Sequence, residues 1–133
     1  MGNNLINILL LEDNLADKRL VEEMLSESNL NFKITCVKKL QEGIEQLNNN
    51  NFDVILTDLT LLDSTGLNSF VEIKIKAPET PIIIYSGSIM KRPALRECLD
   101  NADCYLVKGE IDSNSLVSAI TGAIQNHSTY ART

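Results

Sequence analysis

Polar side chains follow the ends of several apolar stretches in this sequence. They are Glu12 and Asp13 after the first stretch, Asp58 after the third, Ser86 at the end of the fourth and Lys108 after the fifth. Clustered carboxylates are the ligands that a hard divalent cation such as Mg²⁺ prefers, and a carboxylate is also a nucleophile that can accept a phosphoryl group. A hydroxyl and an ammonium beside it would bind the phosphoryl oxygens as charge builds up on them. If these groups meet, they predict metal-assisted phosphoryl transfer.

Asp58 is the best candidate for the phosphoryl acceptor. It follows the apolar run 54–56 with only Thr57 between them, and that run is typical of a buried strand. Its charge therefore requires an explanation that a solvated loop would not need. Asp13 and Asp58, with Glu12, would hold the metal ion. Ser86 would donate a hydrogen bond to a phosphoryl oxygen.

Five apolar stretches of strand length recur along the chain. Their apolarity is continuous rather than alternating, which is typical of strands in a parallel sheet with helices on both faces. They span residues 5–11, 32–37, 52–57, 81–86 and 104–107. The segments between them should therefore be helical.

Apolar residues at helical spacing follow each of these stretches. In the first helix, predicted over 14–29, Asn14 is placed to cap the N-terminus and Asp17 lies in the first turn. A strand followed by a helix is thus repeated five times. The stripes are Leu20, Val21, Met24 and Leu25; Leu40, Ile44 and Leu47; Leu67, Phe70 and Val71; Leu95, Cys98 and Leu99 after Pro93; and Leu116, Val117, Ile120 and Ile124.

This alternation predicts an α/β fold with right-handed crossovers and an open, doubly wound sheet. Ligands of such sheets bind beyond the carboxyl ends of the strands. The polar residues described above stand at those ends, so the fold would gather them at one edge.

The composition is that of an ordinary folded domain. The chain has 133 residues, of which 44% are hydrophobic and 23% charged, and its net charge of −6 disfavours nucleic acid as a partner. The apolar run 5–11 is interrupted by Asn7 and has no basic residue before it, so it fits neither a signal peptide nor a membrane span. We therefore expect a cytoplasmic protein, in which the three cysteines, Cys36, Cys98 and Cys104, are reduced.

The ordered set formed by Glu12-Asp13, Asp58, Ser86, Tyr105 and Lys108 resembles the response-regulator receiver family of two-component signalling. The similarity spans nearly the whole chain and includes Gly66 beyond the acceptor and the segments "IIIYSG" and "YLVKG". It implies a flavodoxin-like sheet of five parallel strands in the order 2-1-3-4-5. We expect a single receiver domain over 1–133, with 1–4 and 128–133 as tails, either alone or as part of a larger signalling protein.

The resemblance also implies a function. A histidine kinase or phosphotransfer protein would donate a phosphoryl group from a phosphohistidine to Asp58, and the domain would itself catalyse the transfer and the later hydrolysis. Ser86 and Tyr105 would then switch a surface formed by the fourth helix, the fifth strand and the fifth helix, which acts on an unidentified target or attached module. Lys108 would bind the phosphate, and the Mg²⁺ ligands expected are Glu12, Asp13, Asp58 and Thr60.

The residue after the lysine departs from the family's usual pattern. Most members follow the lysine with a proline in a cis peptide bond, whereas this chain has Lys108-Gly109 and resembles a subgroup. A cis bond before a residue other than proline is costly, so we expect this bond to be trans.

Three other functions are possible for a fold of this kind. The main alternative is a receiver-like module that binds proteins without turnover of phosphate. A phosphatase of the haloacid dehalogenase type would need a second Asp as general acid two residues after the nucleophile, where Thr60 stands. A flavodoxin is disfavoured because residues 12–14 lack the small hydroxyl and glycine residues of a phosphate cradle.

Overall fold

The computed structural model describes residues 5–61, 64–65, 67–87 and 102–132. Strands alternate with helices along the chain, apart from one short two-stranded ribbon. The strands are β1 (Leu5–Leu11), β2 (Asn31–Val37), β3 (Val54–Thr57), β4 (Thr60–Leu61), β5 (Ser64–Thr65), β6 (Ile82–Ser86) and β7 (Cys104–Val107), and the helices are α1 (Leu15–Ser26), α2 (Leu40–Asn49), α3 (Leu67–Lys76) and a last helix (Ser113–Arg132).

Five of the strands form one parallel sheet in the order β2-β1-β3-β6-β7. Numbered among themselves, these strands have the order 2-1-3-4-5, so the predicted fold is confirmed. The ends of the strands are in register, because Leu11 of β1 pairs with both Val37 of β2 and Thr57 of β3. Ser86 similarly pairs with Val107 of β7. The residues that follow these strands therefore leave the sheet at a common edge.

Both faces of the sheet are covered, which explains the continuous apolarity of its strands. Leu9 and Leu11 belong to the cluster that includes Ile73 of α3, whereas Leu10 belongs to the cluster that includes Val21 of α1. Each fully buried aliphatic side chain of this kind contributes roughly 1.5–3 kcal/mol through burial. The sheet is thus a rigid platform beneath its carboxyl edge.

Helix α1 begins as predicted but buries a narrower stripe. The Asn14 side chain accepts a hydrogen bond from the backbone N–H of Asp17 at 3.0 Å and so caps the helix. The buried residues of α1 are Val21, Met24 and Leu25. Leu20, which we expected in this stripe, is 40% exposed. The buried stripe is narrower than expected and consists of Val21 and the residues three and four positions after it.

Val71 of α3 was likewise wrongly assigned to the core, since it is 40% exposed while Phe70 and Ile73 are buried. The last helix extends to Arg132 and so includes residues 128–132, which we expected in a tail. None of the helices in the described ranges is both long and apolar enough to cross a membrane. Outside the described residues lie the predicted fourth helix, with Pro93, Leu95, Cys98 and Leu99, and also Gly66.

Candidate functional site

Three carboxylates leave the sheet edge directly after β1 and β3. The backbone N–H of Glu12 donates to Val37 O at 2.9 Å, and the N–H of Asp58 donates to Leu11 O at 3.0 Å. These bonds continue the strand ladder by one residue, so Glu12 and Asp58 have fixed backbone positions rather than loop positions. Asp13 follows Glu12 and is half-buried.

The carboxylates of Glu12, Asp13 and Asp58 converge. Each offers an oxygen that lies within 4.8 Å of the oxygens of the other two. Glu12 is 1% exposed and Asp58 is 8% exposed, which is an unusual degree of burial for acidic side chains. Hard oxygen donors this close together fit Mg²⁺. The side chain of Thr60, the fourth expected ligand, lies outside the described part of the structure.

Lys108 places an ammonium among these carboxylates. Its Nζ lies 2.6 Å from Asp58 Oδ2, 2.8 Å from Glu12 Oε1 and 2.9 Å from Asp17 Oδ2. The Lys108 side chain is only 16% exposed, so these ion pairs are well shielded from solvent. The lysine therefore connects the ends of β1, β3 and β7 with the first turn of α1.

The charge states of Lys108 and Glu12 follow from this arrangement. Burial alone would lower the pKa of Lys108, but its hydrogen bonds to Asp58, Glu12 and Asp17 outweigh burial and raise that pKa above the ordinary value of 10.5. Burial raises the pKa of Glu12, although the hydrogen bond from Lys108 opposes this effect. Lys108 is thus a permanent cation at neutral pH.

Ser86 contacts the other oxygen of the candidate acceptor. Its Oγ donates to Asp58 Oδ1 at 3.2 Å, while Lys108 holds Oδ2. The backbone N–H of Lys108 also donates to Ser86 O at 3.0 Å, which ties the ends of β6 and β7 together. The two oxygens of Asp58 therefore have different donors on different strands.

The structure adds Asp17 and Tyr85, whose parts in the site the sequence analysis missed. Tyr85 is fully buried, and the Nζ of Lys108 lies 5.6 Å from the centre of its ring. Among the described residues its hydroxyl has no hydrogen-bond partner. Signals for both exist in the sequence: Tyr85 precedes Ser86, and Asp17 lies in the first turn of a helix whose side chains lean towards its N-terminus and hence towards the site.

Tyr105 and Gly109 flank the site on the β7 side. Tyr105 is half-buried and packs against the core cluster that contains Leu9 and Ile84. Its role as a switch residue stays a prediction. No described peptide bond is cis, which confirms the expected trans bond after Lys108, and Gly109 has a φ of 84°, a conformation that favours glycine. Cys36 and Cys104 are free thiols, as expected.

This arrangement has the components of phosphoryl transfer. A buried carboxylate is held by an ammonium and a hydroxyl, and two further carboxylates beside it complete a set of oxygen ligands suited to Mg²⁺. Its position at the carboxyl edge of a doubly wound sheet is where ligands bind in such folds.

Comparison with known proteins identifies the family of this chain. A model of the response regulator receiver domain family matches residues 8–121, and the chain belongs to that family. One relative is the cell cycle transcriptional regulator CtrA of Caulobacter vibrioides, which is 26% identical over 127 residues. That match covers 96% of this chain and 54% of the relative, so the chain spans about half the length of the curated relative.

Solved structures show the same fold. The receiver domain of a sensor histidine kinase from Pseudomonas aeruginosa is 25% identical, with a TM-score of 0.78 over 92% of this chain and 99% of that chain. That structure has a magnesium ion coordinated in its active site cleft. A phosphorylated cyanobacterial phytochrome response regulator, RcpA, is also 25% identical, with a TM-score of 0.68 over 93% of this chain and 89% of that chain.

Proposed function

We propose that this receiver domain accepts a phosphoryl group on Asp58 from the phosphohistidine of a histidine kinase or a phosphotransfer protein, and that it does so in the cytoplasm. One observation carries the proposal: the buried Asp58 carboxylate has Lys108 2.6 Å from one oxygen and Ser86 3.2 Å from the other. A carboxylate held in this way presents an oxygen in a fixed direction, which is what in-line transfer requires.

In the proposed transfer, an oxygen of Asp58 attacks the phosphorus of the phosphohistidine. The new bond joins this oxygen to phosphorus and the bond from phosphorus to the imidazole nitrogen breaks. The imidazole keeps that electron pair, takes a proton from solvent and leaves as the neutral ring. Lys108 offsets negative charge on the phosphoryl oxygens, and Ser86 donates a hydrogen bond to one of them. Lys108 can do this at any physiological pH because its neighbours raise its pKa.

Glu12, Asp13 and Asp58 would hold Mg²⁺, with Thr60 as the expected fourth ligand. Their converging oxygens support this assignment, as does the magnesium ion in the related kinase receiver. When bound, the ion would supply positive charge opposite the phosphoryl oxygens.

The signal would end by hydrolysis. Water attacks the phosphorus, the bond between phosphorus and the Asp58 oxygen breaks, and the products are inorganic phosphate and the restored carboxylate. The domain would thus turn over its own phosphoryl group while acting as a switch, not as an enzyme on another substrate.

The output would be a change of surface. Ser86 ends β6, and Tyr105 lies on the neighbouring strand β7, two residues before its carboxyl end. Movement of Ser86 towards a phosphoryl oxygen would change the space open to Tyr105. The surface formed by the fourth helix, β7 and the last helix would then favour a different partner or attached module. The phosphorylated state of RcpA supports such a cycle for this chain.

The proposal is tested by incubating the purified chain with acetyl phosphate and Mg²⁺, and separately with a phosphorylated histidine phosphotransfer protein. Intact-mass spectrometry should show one added phosphoryl group that is labile in alkali, and peptide mapping should locate it at Asp58. If neither donor labels the chain in the presence of Mg²⁺, the domain is instead a protein-interaction module without phosphate turnover.

A further inference from the structure

Asp17 is a third carboxylate on the Lys108 ammonium, and it lies outside the acidic cluster. Its Oδ2 is 2.9 Å from Lys108 Nζ. Among the described residues, the group of carboxylates close enough to share a metal ion consists of Glu12, Asp13 and Asp58 and does not include Asp17. Asp17 therefore contacts the lysine of the site without belonging to the proposed metal ligands.

Three carboxylates surround the Lys108 ammonium. A lysine ammonium has three N–H donors and no acceptor. Three different carboxylates, those of Glu12, Asp17 and Asp58, lie within 2.9 Å of Lys108 Nζ. Asp17 and Asp58 accept hydrogen bonds from this ammonium, while Glu12 Oε1 lies in ion-pair contact with it. Asp17 is thus one of the two carboxylates to which the ammonium donates.

Two of these three partners change their bonding in the proposed function. Glu12 and Asp58 become metal ligands, and Asp58 also becomes the phosphoryl acceptor. We propose that Asp17 is a positioning residue that keeps the Lys108 ammonium at the acceptor edge while its other two partners exchange ligands. This inference rests on the proposed function and identifies which side chain orients its lysine.

The position of Asp17 suits an anchor. It lies in the first turn of α1, where its own N–H donates to the capping side chain of Asn14 at 3.0 Å. Its backbone is thereby fixed relative to the sheet edge. From below, the ring of Tyr85 limits how far Lys108 can sink, since the ammonium lies 5.6 Å from the ring centre. The Asp17 contact, made from the first turn of α1, restrains the ammonium from a further side.

If Asp17 competes with the phosphoryl group for Lys108 instead of anchoring it, its removal should have the opposite effect on the rate of phosphorylation. A fourth carboxylate near the site adds negative charge, and it could compete with the phosphoryl group for Lys108. A competitor would slow phosphorylation, so its removal would accelerate the reaction. An anchor would speed phosphorylation, so its removal would slow the reaction.

The first test observes the ammonium itself. The side-chain NMR signal of Lys108, assigned by its absence from Lys108→Arg, reports whether the N–H groups are held in hydrogen bonds and exchange slowly. In the wild type we expect this signal both without and with saturating Mg²⁺. In Asp17→Asn we expect it without Mg²⁺ and its loss when Mg²⁺ is added. A wild type without a slowly exchanging signal, or a variant that keeps the signal in Mg²⁺, would overturn the proposal.

The second test measures phosphorylation by acetyl phosphate at saturating Mg²⁺. We expect a maximal rate about tenfold lower in Asp17→Asn, with an unchanged half-saturating donor concentration, because the lysine is displaced while the donor site is intact. Asp17→Glu should recover most of the rate. Glu23→Gln, which removes one charge from an exposed position of the same helix, should match the wild type.

The outcomes separate the two proposals. A wild type that takes up no phosphate would count against the proposed function, while the NMR comparison would still decide the role of Asp17. A phosphorylated wild type with an Asp17→Asn variant that is equally fast or faster would overturn the anchor role alone.

Discussion

Lys108 reaches Asp58 across an intervening strand. The two residues follow β7 and β3, and β6 lies between these strands in the sheet. Neighbouring strands are about 4.8 Å apart, so the two chain positions are separated by roughly 10 Å at the sheet edge. The lysine side chain spans this gap above the ring of Tyr85, which lies on β6, and brings Nζ to 2.6 Å from Asp58 Oδ2. The contact therefore depends on strand order rather than on closeness in sequence.

Replacing Asp58 by Asn should abolish phosphorylation and leave the fold intact. The amide has the shape of the carboxylate but is a poor nucleophile, and Lys108 keeps Glu12 and Asp17 as partners. Mass spectrometry after incubation with acetyl phosphate and Mg²⁺ should show no added phosphoryl group, and circular dichroism should show an unchanged spectrum. Labelling of this variant to the wild-type extent would remove Asp58 from its proposed role.

Replacing Ser86 by Ala should slow phosphorylation about tenfold, because the hydroxyl that donates to Asp58 Oδ1 would no longer stabilise the phosphoryl oxygens. Ser86→Thr keeps a hydroxyl at the same position and is the matched control. Its rate should stay within about twofold of the wild type if the hydroxyl is what matters. The comparison is made from initial rates of labelling, and equal rates for the Ala and Thr variants would contradict the assignment.

Much of the fold and most of the site could be predicted because both depend on local sequence patterns. Continuous apolar strands indicated a sheet covered on both faces. Because ligands of such sheets bind beyond the carboxyl ends of the strands, Asp58, Ser86 and Lys108 could be assigned to the same sheet edge without any knowledge of distances. The structure brings these residues together. Their order along the chain was sufficient, since parallel strands in register all end at the same edge.

The sequence pattern did not show in which direction each side chain points in the folded protein. Asp17 was interpreted only through its place in the first helical turn, although the same turn directs it towards Lys108. Tyr85 was one apolar residue in a buried run, and its contact with the lysine depends on which face of β6 it occupies. Leu20 and Val71 were assigned to the core because helical spacing alone does not define how wide a stripe the neighbouring sheet covers.

Replacing Lys108 by Met should destabilise the metal-free domain by about 3 kcal/mol at pH 7, because the fully buried Glu12 loses its ion-pair partner. The measurement is urea unfolding in EDTA. Lys38→Met, at an exposed lysine, is the control and should stay within about 0.5 kcal/mol of the wild type. A Lys108→Met variant as stable as this control would show that the lysine contributes little to the fold.

The difference in stability between the wild type and Lys108→Met should depend on pH. Burial raises the pKa of Glu12. The free-energy cost of its buried negative charge is therefore fully present above that raised pKa and decreases as the pH falls towards the ordinary value of 4.5. The Lys108→Met variant has no ammonium to oppose this effect. Its deficit, which is its loss of unfolding free energy relative to the wild type, should therefore shrink between pH 7 and pH 5. The deficit should also shrink above pH 10.5, since the stability that Lys108 contributes is lost as pH rises through its raised pKa. A deficit constant from pH 5 to 11 would contradict these assignments.

Replacing Gly43 and Gly122 by alanine should change the stability of the domain in opposite directions. A Cβ at Gly43 of α2 would lie 2.6 Å from Leu11 Cδ2, and Leu11 is fully buried and cannot move aside freely. Gly43→Ala should therefore destabilise the domain by about 1–3 kcal/mol. A Cβ at Gly122 in the last helix meets nothing within 4 Å. Gly122→Ala should stabilise the domain by about 0.5–1 kcal/mol, because alanine loses less backbone entropy in a helix.

The Gly43 result bears on the site because Leu11 directly precedes Glu12. If α2 moves away to relieve the contact, the end of β1 is disturbed, and phosphorylation of Gly43→Ala should slow while that of Gly122→Ala stays at the wild-type rate. If Leu11 alone changes rotamer, stability falls but the rate is unaffected. Unfolding and labelling measured on the same preparations distinguish these responses. A Gly43→Ala variant that loses no stability would show that the close approach of α2 to β1 is not needed for the fold.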